Sequence, residues 1–393
     1  MPNTSWPRHG SYSQWVADAI KRVRGDGAQS VNLFESSVPE PRELLRQTIV
    51  GAVEPAFGKM VVSAFGGGNP YVIDHLSARY RVDPAQILST AGATSALSLI
   101  YRTFTSPGDH VLVEVPGFDL FADLAVERGV DWSGFQRRGD RFAIDVDEIA
   151  QSIRANTRLI ILSNLHNPSG MAIDHGDLVR LSEVAERHGV LLVVDEVYGD
   201  YAGKDLRPMP ACALSKSVLS VSSLTKIFGL GGLRCGWIVG DAALVAPIRD
   251  LSQRTEFGVS SLAHAMSAYV FERYDAFEAY AEGIVAPSRA IFERWFATAA
   301  AEGLVGGALP DAGCIAFPHL PGIDDSEAFS NWLMHKSGVI VAPGSAFGAP
   351  SHVRVGFAHA PDILKRGLAA LAEGIRSFRA LDPRETISRQ PAF

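Results

Sequence analysis

The chain is poor in cysteine, in surplus positive charge and in long apolar runs, and each shortage removes a class of function. Three cysteines, Cys212, Cys235 and Cys314, are scattered through 393 residues. They are too few, odd in number and too far apart for a disulfide framework or a CxxC metal site; no metal site is expected, and a reducing, cytoplasmic compartment is. Against 43 Asp and Glu stand 36 Lys and Arg, a net charge of −7. Nucleic-acid binders carry a basic surplus, so no nucleic-acid partner is expected. Nowhere do about 18 apolar residues run together, and "MPNTSWPRHGSYSQWVADAI" at the N-terminus holds no signal-peptide core, so neither membrane association nor targeting is expected. No GxGxxG follows a strand and opens a helix, which discounts a dinucleotide-dependent dehydrogenase. The glycines of "FGGGNP" at 65–70 form a loop without the Lys-Ser/Thr of a phosphate-binding P-loop.

What is present is a large globular chain, 47% hydrophobic and 20% charged. That length suits one large α/β domain or a large domain with a smaller companion. From about residue 85 to 240, short β-rich runs alternate with helical patterns. "HVLVEVP", "TRLIILSN", "VLLVVDEVY", "SVLSVSSL" and "CGWIVG" read as strands of a mostly parallel sheet covered by helices. "DLVRLSEVAERHG" sets Leu178, Leu181, Val184 and Ala185 on one helical stripe and stops at Gly189. A second, α+β region begins near residue 280 with one long helix, bent at Pro287. It continues through the strand "CIAFPHL", a helix around "EAFSNWLMHK", the strands "GVIVAP" and "HVRVGFA", and the helix "DILKRGLAALAEGIRSF". The tail "RETISRQPAF" is expected to be disordered.

Several residues invite a chemical reading beside an ordinary one. Lys226 lies in "SSLTKIFGLGGLRCGW" among Leu224, Ile227 and Phe228, with Arg234 eight positions on; it is a buried reactive amine or part of a well-packed turn. Asp195 ends an apolar strand and Tyr198 follows, where ligands of open α/β sheets bind and where turn caps also sit. Asn167 and Pro168 occupy the loop after another strand, as a turn or a ligand contact. Gly92, Ala93 and Thr94 open a helix, whose free N–H groups can hold an anion or simply pack closely. Arg354 stands inside an apolar strand and needs a partner, either a structural carboxylate or one on a substrate.

Taken together, in this order and spacing, these residues resemble the pyridoxal 5′-phosphate (PLP) enzymes of fold type I, in the class I/II aminotransferase group, from roughly residue 30 to 375. The resemblance implies a three-layer α/β/α large domain over residues 50–284 and a smaller α+β domain from 1–49 and 285–393. It implies a homodimer that takes an L-amino acid and a 2-oxo acid. Lys226 matches the lysine that forms the internal aldimine and then shuttles the substrate's α-proton, and Asp195 matches the partner of the pyridinium nitrogen. Tyr198 and Asn167 match donors to the cofactor's phenolic oxygen. Gly92, Ala93, Thr94, Ser223 and Arg234 match the phosphate site, Phe118 the ring stacked on the cofactor, and Arg354 the grip on the substrate α-carboxylate. Burial is expected to lower the pKa of Lys226 and so activate it.

Departures from the family pattern mark where specificity is open. The family's Asn-Leu-Gly-x-Gly reads "VNLFESS" here, which puts Glu35 and Ser36 at the substrate pocket; Glu35 faces a polar or cationic side chain or points to solvent. Arg254 lies near the place of a distal-carboxylate arginine, or is a surface residue. The tyrosine that reaches the neighbouring subunit's phosphate has no clear match among Ser63, Phe65 and Tyr71, and Ser169 replaces a threonine in the Asn-Pro-Thr-Gly element. A lyase or decarboxylating enzyme of the same fold is the alternative to transamination. An effector-binding module of a transcription regulator is the non-enzymatic one, disfavoured because only about 30 residues precede the resemblance, too few for a DNA-binding domain.

Overall fold

Short apolar runs closed by turn residues give strands buried on both faces, which only a sheet covered by helices can satisfy. The computed structural model describes residues 12–25, 30–53, 57–202 and 209–381; the C-terminal tail from 382 and residues 1–11 lie outside them. Its strands, in chain order, are β1 (Val31–Asn32), β2 (Ile87–Thr90), β3 (His110–Val115), β4 (Asp131–Gln136), β5 (Thr157–Ser163) and β6 (Leu191–Asp195). They continue with β7 (Val218–Ser223), β8 (Gly236–Val239), β9 (Ile315–Ala316), β10 (Val339–Ile340), β11 (Ala342–Pro343) and β12 (Val353–Gly356).

Seven strands form the main sheet in the order β2-β8-β7-β6-β5-β3-β4. β8 runs antiparallel to both neighbours and the other pairings are parallel. Register brings Ser163 beside Asp195, Asp195 beside Val221, and Gly236 beside both Ser223 and Thr90. The carboxyl ends of β2, β5, β6 and β7 and the amino end of β8 therefore share one edge of the sheet. Helices cover both faces: Leu88, Val111, Ile161, Val193 and Val221 pack to one side, and Leu112, Ile160, Leu162, Val194 and Val218 to the other.

The covering helix His175–His188 shows how local sequence sets such an element. Asp174 caps it by accepting from Gly176 N and Asp177 N, its Leu178, Leu181, Val184 and Ala185 are buried, and Gly189 ends it at φ 64°. The helix Tyr274–Ala301 continues through Pro287 without ending. Two smaller sheets follow the same logic on a reduced scale: β1 pairs in parallel with β10, and β12 lies between β11 and β9, antiparallel to both. The run expected as one strand, "GVIVAP", is split, because the Val341 carbonyl accepts from Ser330 Oγ at 2.6 Å and the chain there passes from one sheet to the other. "CIAFPHL" yields only the two residues of β9, since Pro318 cannot donate to a ladder. No helix among the described residues is long and apolar enough to cross a membrane.

Candidate active site

The shared edge of the main sheet opens on a cavity beyond the strand ends, where open α/β sheets place their ligands. Its wall includes Ser36, Ala93, Thr94, Phe118, Asn167, Asp195, Tyr198, Ser223, Lys226, Arg234 and Arg354. Gly92 and Glu35 adjoin it in the chain, before Ala93 and Ser36. Arg254, Ser63, Phe65 and Tyr71 do not line it; Arg254 is exposed, and its Nε donates to the Asp250 carbonyl at 3.1 Å.

Lys226 follows β7, with Leu224, Ile227 and Phe228 buried around it. Its Nζ donates to Ser36 Oγ at 3.1 Å and lies 5.8 Å from the Tyr198 ring centroid. Burial pushes its ammonium down, but Tyr198, Glu35 and Tyr12 push it up and prevail, so burial alone does not lower it as the sequence led one to expect. Asp195, at the end of β6, accepts from Val197 N at 3.1 Å. Burial raises its carboxyl to about 6, against the lowering by that N–H and by Lys226.

The helix Ala93–Phe104 starts at this edge because Gly92 stands before it at φ 88°. A Cβ on Gly92 would lie 2.5 Å from Arg234 Nη2, so the guanidinium rests against bare backbone. Arg234, itself at φ 47°, donates from Nη2 to the Ala91 carbonyl at 3.1 Å. A cation, the hydroxyls of Thr94 and Ser223, and the unpaired first N–H groups of a helix thus meet at one end of the cavity.

Arg354, on β12, is only 1% exposed. Its Nη1 donates to Asn167 Oδ1 at 2.9 Å, and Nη2 donates to the Phe34 carbonyl at 2.9 Å and to the Tyr12 hydroxyl. Its Nε has no partner among the described residues. No structural carboxylate pairs with it there, which leaves a fork of donors at the cavity wall.

Two parts of the site had no counterpart in the sequence reading. Tyr12 lines the cavity from the helix Tyr12–Gly25, its ring 5.0 Å from Phe347 and 6.2 Å from Phe118, and its backbone N donates to Asp119 Oδ2 at 2.6 Å. Nothing in "GSYSQW" signals a ligand contact. The second is a buried support for Asn167. Arg137 Nη1 donates to Glu114 Oε2 at 2.7 Å, Ser163 N donates to Glu114 Oε1 at 2.8 Å, and Asn167 N donates to Ser163 Oγ at 2.9 Å. Burial raises Glu114 and lowers Arg137, each partly restored by the other. A glutamate inside the apolar run "HVLVEV" was the available signal. Burial keeps His166 neutral; the Pro116 carbonyl can only accept, so Nε2 carries the proton and Nδ1 accepts from Ser169 Oγ at 2.6 Å.

These residues fit the cofactor that the sequence pattern implies. A phosphate dianion matches the Gly92 cradle with Arg234 and the helix N-terminus. A protonated ring nitrogen matches Asp195, a buried carboxylate whose raised titration marks a want of positive charge.

Comparison with known proteins identifies the family. The sequence model of the family "Aminotransferase class I and II" matches residues 67–371. The chain is 30% identical over 302 residues to capreomycidine synthase of Streptomyces vinaceus, covering 76% of this chain and 77% of that one. It is 24% identical over 384 residues to an arginine–pyruvate transaminase of Pseudomonas aeruginosa, covering 91% and 97%. Among solved structures, the aspartate aminotransferase of Thermus thermophilus with maleate superposes with a TM-score of 0.83 at 21% identity, covering 93% of this chain and 97% of that one. A PLP-dependent aminotransferase from Streptococcus suis gives 0.83 at 25% identity, covering 96% and 100%. From a family match across most of its length and a fold shared with its solved relatives over more than nine-tenths of the chain, the chain belongs to the class I and II aminotransferases and is a PLP-dependent transaminase.

Proposed function

We propose that the enzyme works as a cytoplasmic homodimer in which Lys226, Asp195 and Arg354 divide the chemistry among them. The single observation that carries this assignment is that one cavity gathers a buried lysine, a buried carboxylate and an arginine fork without a carboxylate partner. When bound, PLP supplies a carbonyl for the substrate amine and a conjugated ring that accepts electrons from the α-carbon. Arg354 would take the α-carboxylate through the N–H groups it has not given away, on Nη1 and Nε, while its bonds to Asn167 Oδ1, the Phe34 carbonyl and the Tyr12 hydroxyl hold it in place. Because Asn167 Oδ1 is engaged there, its Nδ2 remains to donate, alongside the Tyr198 hydroxyl, to the phenolic oxygen. Ser36 Oγ accepts from Lys226 Nζ in the cavity wall, from which Nζ would remove and return the proton at the substrate α-carbon. Asp195 would keep a proton on the ring nitrogen, Phe118 would lie against the ring, and Gly92, Ala93, Thr94, Ser223 and Arg234 would bind the phosphate.

Free cysteines Cys212, Cys235 and Cys314 support a reducing compartment. Support for the dimer comes from an exposed aromatic pair: Phe65 is 58% exposed and Phe257 77%, with ring centroids 6.3 Å apart. We place the large unit at residues 50–284 and the small one at 1–49 and 285–393. The boundary at 284 falls inside the helix Tyr274–Ala301, so a continuous helix rather than a loose linker joins them.

The test is the visible spectrum of the loaded protein as single amino acids and then 2-oxo acids are added. Arginine and pyruvate, the pair in one relative's name, are the first to try. Loss of the yellow band with stoichiometric keto acid and pyridoxamine phosphate is the expected outcome. A second reading draws on the relative at 30% identity, which is named a synthase and not a transaminase. An amino acid consumed with ammonia or water released, and no pyridoxamine phosphate, would favour it.

A further inference from the structure

The aminotransferase reading gives three charges at the cavity a counterpart: Arg234 for the phosphate, Asp195 for the ring nitrogen and Arg354 for the α-carboxylate. Beside the cavity, next in the chain to its lining residue Ser36, one carboxylate is left over. Glu35 sits between two contacts to the residues assigned to the substrate's α-carboxylate and α-proton. The Phe34 carbonyl, before it, accepts from Arg354 Nη2 at 2.9 Å, and the Ser36 hydroxyl, after it, accepts from Lys226 Nζ at 3.1 Å.

Its backbone is fixed. Glu35 N donates to Asn32 Oδ1 at 3.1 Å, and a Cβ on Gly356, two residues beyond Arg354, would fall 1.6 Å from the Glu35 carbonyl oxygen. Only glycine lets these segments lie so close. The half-buried carboxylate accepts from Ser37 Oγ at 3.0 Å and from Ser36 N at 3.3 Å, both at Oε1. Among the described residues no ion pair reaches it. The carboxylate lies beside the cavity, close enough for its charge to favour the charged forms of Lys226 and Arg354. A half-buried carboxylate that makes no direct ion pair leaves room for a cation brought in by a ligand.

We propose that Glu35 reads the substrate side chain and selects an L-amino acid with a cationic end, guanidino or ammonium. The proposal rests on the aminotransferase reading, because it takes Arg354 and Lys226 to fix the other end of the substrate. The planar guanidinium matches a carboxylate through two parallel bonds, and an ammonium through one.

The test compares L-arginine with L-citrulline, of equal length and without the charge, and with L-lysine and L-ornithine, by single-turnover bleaching of the loaded enzyme's visible band. The wild type is expected to favour at least one of the cationic substrates over citrulline roughly ten- to a hundredfold in apparent affinity. Glu35→Gln, which keeps shape and loses charge, is expected to collapse that ratio towards one, and Glu35→Asp to keep part of it. The intact visible band of each variant reports folding and cofactor loading, and the wild-type comparison needs no variant at all. Equal use of citrulline and the cationic substrates by the wild type, or an unchanged ratio in Glu35→Gln, overturns the proposal. If no amino acid bleaches the wild-type band, it is transamination that fails. Calorimetric binding of L-arginine to loaded wild type and Glu35→Gln then decides the role of Glu35: weaker binding to the variant supports it, and equal affinity overturns it.

Discussion

Asp195 shows at the scale of one residue how a site is held ready at the expense of stability. Burial raises its carboxyl from 3.8 to about 6, so between those values the folded protein binds more protons than the unfolded chain. Stability of the cofactor-free protein therefore falls as pH rises through this window, and above about 6 the full penalty is present. At about 1.4 kcal/mol per unit the penalty is at most about 3 kcal/mol. Asp195→Asn keeps an oxygen for Val197 N and removes the charge. Cofactor-free Asp195→Asn should melt roughly 2–5 °C above the wild type at pH 7.5 and level with it near pH 4, while binding PLP more weakly. Thermal melts at the two pH values decide this; a variant no more stable than the wild type at pH 7.5 would show that the buried charge carries no penalty. The same environment explains why Lys226 departs from expectation. An apolar neighbourhood is visible in sequence, but Tyr198, Glu35 and Tyr12 come from three distant segments, and their effect on the amine is not.

At the scale of the element, the phosphate cradle depends on a helix starting at the right residue. Gly92 ends the turn after β2 at φ 88°, and the Arg234 guanidinium fills the space a side chain would take. Gly92→Ala meets both a strained backbone and a contact of 2.5 Å, so Arg234 must move. Affinity for PLP should fall at least about tenfold, measured by fluorescence titration of the cofactor-free protein, with the melting temperature of that form changed by no more than a few degrees. Affinity within a factor of two of the wild type would mean that Arg234 and this helix start do not hold the phosphate. Elements of this kind were legible where burial is two-sided: β3, β5, β6, β7 and β8 each write a short apolar run. β4 did not, because it is the edge strand and its "DWSGFQ" is largely half-exposed. β2 is four residues long and its last two are Ser89 and Thr90, so it lacks a run to read. Most of the cavity wall was legible because it hangs from those readable strand ends. Tyr12 was not, since its place is set by the docking of the first helix across the site, with Asp119 far along the chain.

At the scale of the whole molecule, the proposed dimer would cover the exposed Phe65 and Phe257 on loops that adjoin the strand leading into the phosphate cradle. Gly67 and Gly68 lie beside β2, with Ser89 N donating to the Gly67 carbonyl at 3.0 Å, and β2 leads directly into the phosphate cradle at Gly92. From the same loop Phe65 projects beside Phe257, and Gly258 packs against the Ala64 carbonyl, where a Cβ would come within 2.9 Å. The two aromatic rings are thus carried on loops pinned to each other and to the strand behind the cradle. Covering them with a second copy would remove apolar surface from water and stiffen the phosphate end of the site together. The double variant Phe65→Asp, Phe257→Asp should then sediment as a monomer at micromolar concentration, where the wild type is expected to sediment as a dimer. Because the loops brace the cradle, PLP affinity should drop in parallel, roughly tenfold or more, while the core strands stay folded by circular dichroism. A variant that remains dimeric would place the interface elsewhere on the surface; a monomer with unchanged PLP affinity would separate assembly from the cradle and leave each chain's cavity sufficient for the cofactor.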